Sequence, residues 1–180
     1  MIHFVLGRYW NICLLKESPE NTPYSIIRVF LSAIILAVIM VIEWNYSYYN
    51  SSGDLGWLLI IATCLLLSYA IYTYAVLFLK GFTSRLVQTL TALFYTSIII
   101  HILVAPLVFF APYLSHIHIK TPILLFLGVL YLFMSIGLSV WQFVITAHIY
   151  KYALSISPIQ SVLTAFGLMA VNILTVSSLQ

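Results

Sequence analysis

The chain has 180 residues, of which 63% are hydrophobic and only 6% charged, with a formal net charge of +3. Soluble domains carry about a quarter charged residues, so a water-soluble globule is excluded and the bilayer becomes the expected solvent for this apolar surface. The seven basic residues are scattered, which gives no patch for nucleic acid. Cys13 and Cys64 form neither a disulfide framework nor a metal spacing.

The first seventeen residues are apolar but interrupted. Ile2, Val5, Leu6, Tyr9 and Cys13 recur at helical spacing beside a narrow polar stripe of His3, Gly7 and Asn11. This predicts a short amphipathic helix in the cytoplasmic interface, with Trp10 at headgroup level and Arg8 and Lys16 towards water. Glu17 to Pro23 follows as a polar hinge with two prolines, so residues 1–23 form an N-terminal interfacial segment and 24–180 a membrane domain.

Five spans are expected, at about 24–44, 57–79, 86–111, 122–147 and 158–178. Each is long enough to cross a bilayer as a helix, and lipid offers unpaired backbone groups no partner, which favours helices over open strands. Thr22-Pro23, Thr121-Pro122 and Ser157-Pro158 repeat one starting device, a hydroxyl N-cap followed by proline. Arg28 sits a turn inside the first span and is expected to snorkel back. Tyr69, Tyr72 and Tyr74 are expected to lift their hydroxyls to the next interface. Pro106 is expected to kink the third span and Pro112 to stop it. The fold class is therefore all-α, a polytopic five-helix bundle. With the N-terminus in the cytoplasm, Arg8, Lys16, Arg28, Lys80, Arg85 and Lys151 fall inside and only Lys120 outside. The positive-inside bias then places the C-terminus on the far side of a plasma or inner membrane.

His101 is the one ionisable residue read as lying well inside a span, and such residues usually face a bundle interior. Asn172 comes out at similar depth on the fifth span, so an intramembrane His101–Asn172 hydrogen bond is expected. With no carboxylate read at that depth, helix glue is favoured over a proton relay. His116 and His118 are weak metal candidates on the outer loop, with His101 or Asp54 as further ligands. A structural zinc site needs four ligands, and no second pair is visible. Haem ligation would want histidines at matching depth on facing helices, whereas His148 falls at the inner edge. Four acidic residues give no acid/base pair, and there is no phosphate loop or zinc-protease motif, so no catalysis and no cofactor is expected. Hydroxyls within spans (Ser68, Thr91, Thr96, Ser97, Ser135, Ser139) are expected to bond backbone carbonyls or, as in Ser135-x-x-x-Ser139 and Ala33-x-x-x-Ala37, to let helices pack closely.

The layout of a cytoplasmic N-terminal segment and five tightly spaced spans resembles the Yip family of small membrane proteins. The stretch from Ile12 to Pro23, Ile-Cys-Leu-Leu-Lys-Glu-Ser-Pro-Glu-Asn-Thr-Pro, is similar to the opening of proteobacterial inner-membrane proteins grouped with it. The resemblance implies membrane organisation and protein interaction and carries over no site residue. The sequence reading is an accessory or scaffold subunit that packs against membrane-protein partners or a second copy. Its alternative is a small transporter or channel component with His101 lining the path.

Overall fold

The computed structural model describes residues 2–47, 54–115 and 122–179. Six helices form α1 (Ile2–Cys13), α2 (Ile26–Ser47), α3 (Leu55–Lys80), α4 (Leu86–Ser115), α5 (Pro122–Ala153) and α6 (Pro158–Leu179). There is no strand among the described residues. Helices α2 to α6 are each long and apolar enough to cross a membrane, and the chain is a multi-pass membrane protein. Residues such as Ile27, Phe30, Phe126, Phe133 and Leu174 face outward on these helices, as lipid-facing side chains do.

The bundle is organised around α4. About a third of its most apolar stretch is buried, the largest share of the five. It packs against α2 more extensively than any other pair of helices meets, and also against α5, α1 and α3, while α6 rests on α5 and α3. Gln88 at the start of α4 donates to the Thr22 carbonyl just before α2, so α2 and α4 start at the same end and run parallel.

Local chemistry sets most helix ends, and some differ from expectation. Asp54 caps α3 by accepting from the Gly56 amide at 3.0 Å, and Gly81 ends it at φ 76°, a left-handed position that glycine takes without a Cβ penalty. Ser157 and Gln160 close a reciprocal capping box at the start of α6. Thr22 does not cap the first span. Its hydroxyl and amide both bond the Pro19 carbonyl, closing a 3-10 turn over Pro19–Asn21, and the helix starts only at Ile26. Helix α5 runs on to Ala153 instead of stopping at Ala147. Nothing breaks it there, and Tyr150 is fully buried with its hydroxyl 2.9 Å from Thr73. Ser155 at φ 51° then turns the chain. Pro112 does not stop α4, which continues to Ser115.

Helix α1 forms as expected, and its buried face is covered by protein. Tyr9, Ile12 and Cys13 are completely buried. Tyr9 stacks on Tyr95 of α4 at 4.3 Å, and Trp141 of α5 donates its indole N–H to the Cys13 carbonyl at 2.9 Å. Trp10 is exposed while meeting Trp141 edge-on. Burial pushes the Cys13 thiol up to about 12, so it stays a neutral packing group. Arg28 does not simply snorkel away, because its guanidinium faces the buried Tyr9 hydroxyl.

Arg85 draws one end of the bundle together. Its Nη1 donates to Glu20 at 2.7 Å, to the Tyr152 carbonyl at 3.0 Å and to the Ser155 hydroxyl at 3.2 Å, and its plane lies over Phe82. One cation thus holds the N-terminal hinge, the α3–α4 turn and the C-terminal end of α5, whose carbonyl dipoles favour positive charge.

Candidate functional site: a carboxylate–histidine pair between α2 and α4

Helix α4 carries His101 to its middle, about 22 Å from its start at ~1.5 Å per residue. Glu43 on the parallel α2 lies about 25 Å from that helix's start. These similar depths bring the side chains together: His101 Nδ1 is 2.7 Å from Glu43 Oε2. The Glu43 side chain is 8% exposed and that of His101 21%. A contact this short between a ring nitrogen and a carboxyl oxygen is a hydrogen bond whose donor is set by the imidazole tautomer. The other oxygen, Glu43 Oε1, is buried and has no hydrogen-bond partner among the described residues. A buried carboxylate oxygen left without a donor is costly, which makes Oε1 the least settled polar atom in the pair.

This arrangement corrects two expectations. His101 pairs with Glu43 and not with Asn172, and a carboxylate does lie at its depth. A span ending near residue 44 puts Glu43 at its outer edge, whereas α2 extends to Ser47 and carries Glu43 a turn inside it. The depth of Asn172 was read correctly, since it lies about 21 Å into α6, but α6 packs on α3 and α5. Asn172 instead accepts from Ser68 of α3 at 3.1 Å. Tyr69, beside Ser68, is buried and engages both Asn172 and Ser97 of α4. The link from α6 to α4 therefore runs through Tyr69 to Ser97, one helical turn before His101.

The tyrosines also depart from expectation. The Tyr69 hydroxyl is held inside, and Tyr72 donates to the Thr164 carbonyl at 2.8 Å. Only Tyr74 is largely exposed. The expected back-bonding of span hydroxyls is present at Ser68, Thr91, Thr96, Ser135 and Ser139, a local use of hydroxyls common in helices. His116 and His118 lie outside the described residues. His148 reaches the Glu17 carbonyl through Nε2 at 3.1 Å, tying α5 to the hinge. Among the described residues no three His, Cys, Asp or Glu side chains come together as a metal-holding group. No protein family, curated protein sequence or solved structure matches this chain.

Proposed function

We propose that the chain is a small proton-coupled transporter or channel component whose working site is the Glu43–His101 pair. The observation that carries this reading is the position of the pair. A carboxylate and an imidazole share one short bond inside the spans, with Glu43 Oε1 unpartnered among the described residues. Ionisable groups in a membrane are expensive and mark ion and proton pathways. The imidazole can give or take a proton through either ring nitrogen, and Oε1 offers a place for an exchanging proton or a water. The tyrosine, serine and asparagine network that begins one turn away extends the polar line across the bundle.

The orientation belongs to the same proposal. Six of the seven basic residues fall on the side that carries the Arg85 clamp, which favours a cytoplasmic N-terminus in a plasma or bacterial inner membrane. The likeness to Yip proteins is proposed at the level of this layout alone.

The test is proton flux in liposomes containing the purified chain and a trapped pH dye, driven by a pH gradient. The expected result is flux that falls at least about tenfold in Glu43→Gln and in His101→Leu, since each removes a hydrogen-bond partner worth roughly 1.5–3 kcal/mol. Unchanged flux in both variants overturns the reading.

One observation favours an accessory role instead. Only 6% of the most apolar stretch of α5 is buried, the lowest share of the five spans, and a Cβ at Gly128 or Gly137 would meet nothing within 4 Å. Small residues on an open face permit close helix approach. Co-purification of a stoichiometric partner, or a stable oligomer, lost in Gly137→Phe would support that role.

A further inference from the structure

A second polar site includes Tyr69 and Asn172 of the network that begins one turn from the Glu43–His101 pair, but neither member of the pair itself. A cavity of about 260 Å³ opens between α5 and α6, with Tyr69 of α3 among its lining residues. Its polar lining is Ser139, Gln142 and Thr146 of α5, Asn172 of α6 and Tyr69. None of these residues is charged. Ser139 and Thr146 spend their hydroxyl protons on carbonyls of their own helix, and Asn172 is held by Ser68. Gln142 is different: its side-chain amide has no hydrogen-bond partner among the described residues. An amide facing a cavity inside the spans with nothing to bind is costly unless something fills that role.

The cavity's depth and mouth limit what can fill it. Ser139 lies about 21 Å from the end of α5 and Asn172 about 21 Å from the start of α6, at ~1.5 Å per residue. The cavity therefore sits near mid-span. Ser139, Met169 and Ile173 line it and are exposed, so its mouth faces sideways, where lipid surrounds the bundle. A ligand arriving that way must dissolve in the membrane. It must be neutral, because no lining side chain compensates a charge and desolvating one is prohibitive. It must carry hydrogen-bonding oxygens to engage the two amides. The volume lies just under the roughly 300 Å³ at which drug-sized ligand sites begin, so a head group fits and an apolar tail stays in lipid.

We propose that this cavity binds the head group of a neutral membrane-dissolved amphiphile through Gln142 and Asn172. Two sources share that chemistry, an acylglycerol and an isoprenoid quinone, and the experiment separates them. The chain is reconstituted in phosphatidylcholine vesicles with a photoactivatable diacylglycerol, and the labelled peptides are mapped. Excess dioleoylglycerol, a short-chain ubiquinone or dioleoylphosphatidylglycerol is then added as competitor. Labelling is expected within residues 139–146 and 169–173. It should be displaced by one or both neutral competitors and not by the anionic lipid. Displacement by only one of the two names the source. Gln142→Leu should raise the half-displacing concentration about tenfold, the worth of one lost hydrogen bond to the cavity-lining amide. Ser139→Phe, which narrows the mouth and leaves both amides in place, should lower labelling in a protein that retains its helical circular dichroism. Labelling spread along the whole lipid-facing surface overturns the proposal. So does equal displacement by the anionic lipid, or labelling that neither folded variant alters. Proton flux through the Glu43–His101 pair is a separate readout, so failure of either idea leaves the other standing.

Discussion

At the scale of single residues, the Glu43–His101 contact is where polar chemistry and lipid solvation conflict most. Removing one partner strands the other. His101→Leu leaves a carboxylate among apolar helices, a change that costs about 3–5 kcal/mol for a buried pair. Replacing both partners removes the conflict, and apolar replacements of buried pairs are often neutral or stabilising. Unfolding in mixed micelles should therefore show strong losses for each single substitution. Glu43→Leu/His101→Leu should return to within about 1 kcal/mol of the parent, or above it. Simple additivity of the two losses would mean that the side chains are not coupled. His101 was legible in the sequence because a histidine inside an apolar run stands out. Its partner was hidden, because Glu43 lies next to an interface-type tryptophan and a helix end can shift by two or three residues without any change in pattern. Gln142 escaped for a related reason: a single amide in a long apolar run carries no periodic signal.

At the scale of elements, the N-terminal helix and the α3–α6 contact give the sharpest tests. The amphipathic pattern of α1 revealed a helix with one apolar face but not what covers that face, because lipid and protein reward the same spacing. The structure covers it with α4 and α5, burying Cys13 completely. In a Cys64→Ser background, Cys13 should resist a maleimide at pH 7 until denaturant is added. Both its burial and a thiol raised to about 12 keep the reactive thiolate scarce. Rapid labelling in the native protein would show that α1 does not pack on the bundle. Across the bundle, a Cβ at Gly167 would fall on the Tyr72 ring and hydroxyl, so this glycine lets α6 approach α3. Gly167→Ala should cost about 1–3 kcal/mol, the usual penalty for overpacking. Adding Tyr72→Phe removes the atom in closest conflict. The double substitution should then lose less than the sum of the two singles in the same unfolding assay, and a full sum would contradict the close approach. The sequence marked small residues on α2 and α5, yet this contact rests on a glycine with no small residue four positions away on either side.

For the molecule as a whole, length and apolarity made the five long apolar helices legible, while α5 runs on to Ala153, past the expected end at 147. That end was misread because Tyr150 and Lys151 look like loop residues, and only the Thr73 partner and the Arg85 clamp explain why the helix continues past them. Which helices touch was not legible, since depth along a helix says nothing about its neighbours, and the expected His101–Asn172 bond failed on that point. The claim beneath all others is that the helices cross the membrane in alternation, with the Arg85-clamped turns at one face and the start of α3 at the other. Two-sided labelling with a membrane-impermeant maleimide tests it in a Cys13→Ser/Cys64→Ser background, with single cysteines at Ser84→Cys, Ser155→Cys and Asp54→Cys. Ser84→Cys and Ser155→Cys should react from one side, the cytoplasmic one in the proposed orientation, and Asp54→Cys from the opposite side; Asp54→Cys and Ser84→Cys reacting from the same side would contradict the alternation.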